Sequence, residues 1–296
     1  MNTLPYNLNE EDDVPTLIMK AIGSRPVALE ELGGGMIGTV YKATFSDGTA
    51  VVAKHNPAPD ARLDIEAEML RNLRTPDVIP VPDVLSESRH LLIQELIPGV
   101  HLEPIAHADC ARLLAGLHEV VSDQAGLGGT TLNGALPIPS PWTDSWIAFF
   151  REHRLLFTAN AARDRGRLAP EFQERAHRLA ERLDDLLVEP DAYSLLHGDV
   201  WSANVLSVGN RVSGFLDPST CYGDPELELA YMSLFGGFGD AGSEMFATYH
   251  ALRPIPPEFW QTRCYVYAAY PALMHVLYFG ERYEPLLDRI LTGAGV

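Results

Sequence analysis

The chain of 296 residues carries 22 basic and 40 acidic side chains, a formal charge of −18. That balance argues against non-specific nucleic-acid binding and against an anionic membrane surface, since both reward Lys and Arg, while leaving room for a local basic pocket. With 46% hydrophobic and 21% charged residues, the composition is that of a globular protein of one large or two ordinary domains rather than a disordered chain.

The stretch from Met1 to Glu10 is polar and acidic, unlike a signal peptide. Residues 27–32, 37–45 and 49–55 are short β-rich runs, with the hairpin signal Asp47-Gly48 between the last two. Residues 61–74 follow, with Leu63, Ile65, Ala67, Leu70 and Leu73 at helical spacing. After a bend at Pro76, Pro80 and Pro82, residues 91–96 form an apolar strand that ends at Pro98-Gly99. The character then changes. Helices are expected over 108–121, 142–157, 171–187, 225–235, 243–252 and 258–279, short strands over 193–196, 205–208 and 212–216, and a Gly- and Pro-rich loop over 126–141. No apolar run reaches the roughly 18 residues that a membrane span needs. Cys110, Cys221 and Cys264 are too few and too scattered for a disulfide framework or a zinc site, which points to a reducing cytoplasm. The expected architecture is α+β: a small N-terminal sheet with one helix, a connector, and a larger helical part, with a ligand cleft between them.

The sharpest segment is His197-Gly198-Asp199-Val200-Trp201-Ser202-Ala203-Asn204. It resembles the catalytic loop of kinase-fold phosphotransferases. In such a loop one Asp accepts or orients the proton of the attacking hydroxyl, and an Asn five residues on reaches a metal that bridges the ATP phosphates. Asp217, eighteen residues after Asp199 and at the end of a predicted strand, fits the second metal ligand. Upstream, Gly33-Gly34-Gly35-Met36-Ile37-Gly38 lies between two strands, Lys54 on the third, and Glu66 and Glu68 on the helix. A Gly-rich turn lets backbone N–H groups approach phosphate. Taken singly, the glycines also suit a flexible turn and Lys54 an exposed strand position; the order of the set carries the argument. Glu66 and Glu68 point to different faces of the helix, and either is a candidate partner for Lys54.

The chain resembles the fructosamine kinase (ketosamine 3-kinase) family, related to aminoglycoside and choline kinases. The carriers are Gly33-Gly34-Gly35, Val40-Tyr41-Lys42-Ala43, Lys54-His55-Asn56, Glu66-Ala67-Glu68, the loop from His197 to Asn204, Asp217-Pro218, the run from Tyr222 to Ala230, and Leu234-Phe235-Gly236-Gly237-Phe238. The resemblance implies a bilobal protein-kinase-like fold, with a nucleotide-binding lobe over 1–96 and a catalytic and substrate lobe over 97–296. It implies ATP and Mg²⁺ as cofactors, and phosphorylation of the 3-hydroxyl of a small-molecule or protein-bound ketosamine; separately from the resemblance, a monomer is expected. Asp199 would be the base and Asn204 and Asp217 the metal ligands. Gly33, Gly34, Gly35, Lys54 and Glu66 would serve the phosphates, and Gln94, Glu95 and Leu96 the adenine. Trp201 would stack on the sugar rather than fill the core, with His197 and His275 on the substrate side. Asp224 and Glu226 either meet the cationic amine or, the preferred reading for Asp224, cap the helix that starts at Pro225. Met274 and Leu277 flank His275 where relatives carry Asn, and Met36 replaces a small residue, so the substrate wall and loop tip are expected to differ. His90, His101, His107 and His118 lack ligand spacing and suit surface or cap positions.

Overall fold

The computed structural model describes residues 12–35, 38–235 and 237–296; the expectations for Met1 to Glu10, Met36, Ile37 and Gly236 fall outside them. Chain order begins α1 (Val14–Ile22), β1 (Ala28–Gly35), β2 (Gly38–Thr44), β3 (Ala50–His55), α2 (Leu63–Arg74), β4 (Val84–Glu87) and β5 (Leu91–Glu95). These strands form one antiparallel sheet in the order β1-β2-β3-β5-β4. Alternation along β5 explains how it is covered. Leu91 and Ile93 pack with Leu17 and Ile18 of α1, whereas Leu92 joins Leu63, Ala67, Leu70 and Leu73 of α2. The helix α1 was not among the expected elements. It is fixed by Asp13, whose carboxylate accepts from Thr16 N at 2.8 Å, and it ends at Gly23 with φ +77°.

The rest of the chain continues with β6 (Val100–His101), α3 (His107–Leu117), β7 (Val121–Ser122), β8 (Gly129–Asn133), β9 (Leu136–Ser140) and α4 (Trp146–Phe150). A π-helical stretch, Arg151–Leu156, leads into α5 (Phe157–Asp164). Then come α6 (Pro170–Glu181), α7 (Leu183–Leu186), β10 (Tyr193–Leu196), β11 (Val205–Val208), β12 (Arg211–Phe215), β13 (Cys221–Gly223), α8 (Pro225–Leu234), α9 (Glu244–Leu252), α10 (Cys264–Phe279) and α11 (Glu284–Gly293). Two corrections to the expected elements bear on function. The helix expected to reach Val121 stops at Leu117, and Val121 instead pairs with Ser194. The expected loop over 126–141 holds the β8–β9 hairpin, closed by Gly134 at φ +54° in a two-residue turn.

The helix α10 is buried almost all round, from Val266 to Leu277, and forms the spine of the helical part. Its apolar surface belongs to one core that continues through Leu114, Trp146, Phe149 and Phe215 up to α2. The two parts of the molecule therefore share a core beneath α2, and the cleft opens along the side of α2 that bears Leu63, Glu66 and Met69. Among the described residues no helix is long and apolar enough to cross a membrane.

Candidate active site

A cleft of about 710 Å³ lies between the sheet and the helical part. Gly38, Lys54 and Glu66 line it on one side, and Asp199, Trp201, Asn204 and Asp217 on the other. Lys54 is placed by the β3 ladder, opposite Val40 and Leu92. Its ammonium forms ion pairs with both Glu66 and Asp217. Burial pulls a lysine down, but the Asp217 and Glu66 carboxylates outweigh it and hold Lys54 well above its ordinary value, fully charged. Glu66 is buried and Glu68 is exposed on the same helix, so the sequence ambiguity resolves to Glu66.

The Gly-rich turn is built by backbone conformation. β1 slips register between Glu31 and Gly34, with Gly33 at φ +99°, before Gly34 pairs with Thr39 and Gly35 with Gly38. Gly38 has φ +141°, and a Cβ there would lie 2.4 Å from the His55 carbonyl oxygen, so only glycine lets β2 pass β3 this closely.

The loop between β10 and β11 carries the opposite wall. Asn204 Nδ2 donates to Asp199 twice, to the backbone carbonyl at 3.0 Å and to Oδ2 at 2.9 Å. Leu216 N donates to the Asn204 carbonyl, and Ser219 N to the His197 carbonyl, each at 2.8 Å. The segment bearing Asp217 is thereby stitched to the loop bearing Asp199. Asp217 has φ +53°, a left-handed conformation costly for a side-chain residue, and it is held there by that stitching. Burial pushes the Asp199 carboxyl up to about 7, while the Tyr231 hydroxyl and Asn204 amide pull it back and Asp217 adds to the rise. Gly198 has φ +85°, and its Cβ would lie 2.1 Å from the Ser219 carbonyl oxygen. Gly198→Ala is expected to cost about 2 kcal/mol through backbone strain alone, read as a lowered denaturant midpoint, and to lower turnover because the strain falls beside Asp199.

Other expected site residues divide. Trp201 is 39% exposed and lines the cleft. His275 lines it too, stacked on Phe235 at 4.3 Å with Nδ1 2.7 Å from the Pro271 carbonyl oxygen; burial holds its pKa below the ordinary value. Met274 joins the cleft wall, while Leu277 is a core residue. His197 does not reach the cleft. It has no exposed surface, its Nδ1 accepts from Asp199 N at 3.3 Å, and its ring lies against Phe215, so it supports the loop from behind. Asp224 is also removed from the substrate side. It caps α8 by accepting from Glu226 N at 2.9 Å and accepts from the Tyr267 hydroxyl at 2.7 Å, away from the cleft lining. Glu226 is engaged by Arg263 through two hydrogen bonds of 2.6 Å. Gln94 and Glu95 end β5 and Leu96 leaves the sheet, none of them lining this cavity; the Glu95 carboxylate accepts from Asp83 N at 3.3 Å.

Three contributions lie outside the expected set. Tyr231 stands beside Asp199 with its ring stacked on Phe235. Leu132 and Asn133 of the β8–β9 hairpin line the cleft. Glu228, three residues before Tyr231 on α8, accepts from Gly198 N at 2.6 Å and lies 2.9 Å from His118 Nε2. His118, expected at the surface or a cap, does cap α3 but has no exposed surface.

The side-chain oxygens of Asn204 and Asp217 are hard donors suited to Mg²⁺, which takes one or two protein ligands and completes its shell with water and phosphate. The Asn204 oxygen has room to act. Asn204 spends its amide nitrogen on Asp199, and no donor among the described residues reaches its Oδ1.

Comparison with known proteins gives the same grouping. A family model described as fructosamine kinase matches residues 13–293. A Synechocystis protein assigned as a ketoamine kinase is 39% identical over 182 residues, 60% of this chain and 58% of that protein. An Enterococcus faecium protein assigned likewise is 31% identical over 264 residues, 87% of this chain and 92% of that one. A crystal structure from Thermobifida fusca, assigned as a fructosamine-3-kinase, superposes with a TM-score of 0.85 at 27% identity, covering 95% of this chain and 98% of that chain. The chain belongs to the fructosamine kinase family, and it is a phosphotransferase with that family's bilobal kinase-like fold.

Proposed function

We propose that this protein transfers the γ-phosphoryl group of ATP to the 3-hydroxyl of a ketosamine, the sugar adduct of an amine, with lobes divided near residues 96–97. The observation that carries the reading is the face-to-face placement of Asp199, held by Asn204, and Lys54, held between Glu66 and Asp217, in one cleft. Lys54 offers a fixed positive charge to the phosphates. Asp199 orients the acceptor hydroxyl and takes its proton as the new O–P bond forms and the bond from the γ-phosphorus to the bridging oxygen of ADP breaks. Asn204 and Asp217 would hold Mg²⁺, which supplies charge neutralisation at the phosphates when bound. Trp201 offers an indole face to the sugar. Release of the amine from the 3-phosphorylated adduct makes the activity a deglycation step.

The test is ADP release in ATP–Mg²⁺ with ribulose-lysine, fructose-lysine, an aminoglycoside and choline in parallel. Release is expected with the ketosamines alone; release with choline or the aminoglycoside instead would move the enzyme to another substrate class. Trp201→Leu is expected to raise the ketosamine KM by about tenfold, the worth of one aromatic stack, and to leave the KM for ATP unchanged.

A further inference from the structure

The β8–β9 hairpin touches both sides of the cleft at once. Leu132, on β8, is 3% exposed and buried against Ile65 and Met69 of α2, with Leu127 packed beside them. Ile65 and Met69 flank Glu66 in sequence, and Glu66 and Met69 share the cleft lining with Leu132. The neighbouring residue Asn133 is tied to α10. Its carbonyl accepts from the Tyr278 hydroxyl at 2.6 Å, and its Nδ2 donates to the Tyr270 hydroxyl at 3.3 Å. Leu136 N, across the turn, donates to the Tyr278 hydroxyl at 2.9 Å. The hairpin tip is thus fixed to the spine of the helical part and leans one apolar side chain onto α2.

We infer that Leu132 is a positioning residue for the Lys54–Glu66 ion pair. A neighbouring stripe of α2, Leu63, Ala67, Leu70 and Leu73, is already packed into the core, so Leu132, seated on Ile65 and Met69, closes the helix from a second direction and sets its rotation about its own axis. That rotation decides where Glu66 points. If the helix turns outward, Lys54 keeps only Asp217, which draws the ammonium toward the metal side and away from the phosphates. A hairpin anchored among Tyr270 and Tyr278, both of which line the cleft, also places the control of that pair in the acceptor wall. The inference rests on the reading that Lys54 faces the nucleotide, and it does not depend on which acceptor is used.

The experiment is titration of the full-length protein with a fluorescent ATP analogue and Mg²⁺, without acceptor. Leu132→Ala is expected to weaken binding by about fivefold, and Leu132→Met, which restores the apolar contact, by less than about twofold. Glu66→Gln is expected to weaken binding by about tenfold, and adding Leu132→Ala to it to cause no further loss, because residues that act through one shared element are not additive. Wild-type binding by Leu132→Ala, or effects that multiply in the double variant, would overturn the inference. Nucleotide binding that follows the expected pattern without phosphorylation of any ketosamine would overturn the proposed substrate and leave the role of Leu132 standing. A wild-type protein that binds no nucleotide would overturn both.

Discussion

Asp199→Asn is expected to lower phosphoryl transfer by about three orders of magnitude, the middle of the range for removal of a general base, with nucleotide affinity changed by less than about twofold. The change is nearly isosteric, and the neighbourhood explains why it should be clean. Asp199 sits in a loop whose shape is held by backbone bonds, from Leu216 N to the Asn204 carbonyl and from Ser219 N to the His197 carbonyl, and not by the Asp199 carboxylate. An amide oxygen can still accept from Asn204 Nδ2, now at 2.9 Å from Oδ2. What the amide cannot do is take a proton. Lys54, Glu66 and Asp217 do not touch the altered group through any hydrogen bond or ion pair, so the phosphate side is preserved. Single-turnover transfer from ATP, together with analogue binding, reads the two quantities separately. A rate within tenfold of wild type would remove Asp199 from the role of base.

Much of this site was legible from the chain because its chemistry is tied to local order. Asp199, Asn204 and Asp217 lie in or beside one β-loop-β unit, so their offsets are set by the loop between β10 and β11 and by the strand β12. Lys54 and Glu66 are separated by one strand-to-helix connection. The parts that escaped depend on tertiary context. His197 follows Leu196 of β10, a strand buried along its length, and so stays inside although it is two residues from Asp199. The β8–β9 hairpin was masked by Pro137 and Pro139, residues that discourage strand assignments. In the fold they alternate outward while Leu136, Ile138 and Ser140 face in, an arrangement that a two-stranded ribbon with free edges allows. Asn133-Gly134 was the available signal for that turn. Tyr231 and Glu228 stand three residues apart on one side of α8, but that helix is apolar around most of its girth, so no stripe distinguished the side facing the catalytic loop.

Glu228 carries the second large effect. It has almost no exposed surface, and it joins three elements: Gly198 N of the catalytic loop at 2.6 Å, His118 Nε2 at the end of α3 at 2.9 Å, and through His118 Nδ1 the Tyr249 hydroxyl of α9 at 2.7 Å. Burial by itself raises this carboxyl, but the hydrogen bond and charge of His118, with His197 and the Gly198 N–H, outweigh it and hold Glu228 below its ordinary value of 4.5. Removing the carboxylate leaves the buried Nε2 of His118 and the backbone N–H of Gly198 without partners. Glu228→Ala is therefore expected to cost about 3–5 kcal/mol, the range for breaking a buried charged pair from one side. Glu228→Gln should cost less, about 1–2 kcal/mol, because the amide oxygen can still accept from Gly198 N while the amide nitrogen can donate to an unprotonated His118 Nε2. The sign of the pH dependence follows from the lowered pKa. A carboxyl held down by folding contributes stability above its unfolded value, and that contribution is lost as the pH falls through the folded one. The stability gap between wild type and Glu228→Gln should be full at neutral pH and should shrink once the pH falls below 4.5, the ordinary value. Denaturant midpoints of the two proteins across pH 3 to 8, taken as about the accessible range for such a carboxyl, would show it. A gap that does not change with pH would mean that Glu228 acts by shape alone. Transfer rates should fall in Glu228→Ala, which leaves Gly198 N unheld beside Asp199, and a Glu228→Ala variant with wild-type turnover would confine Glu228 to folding.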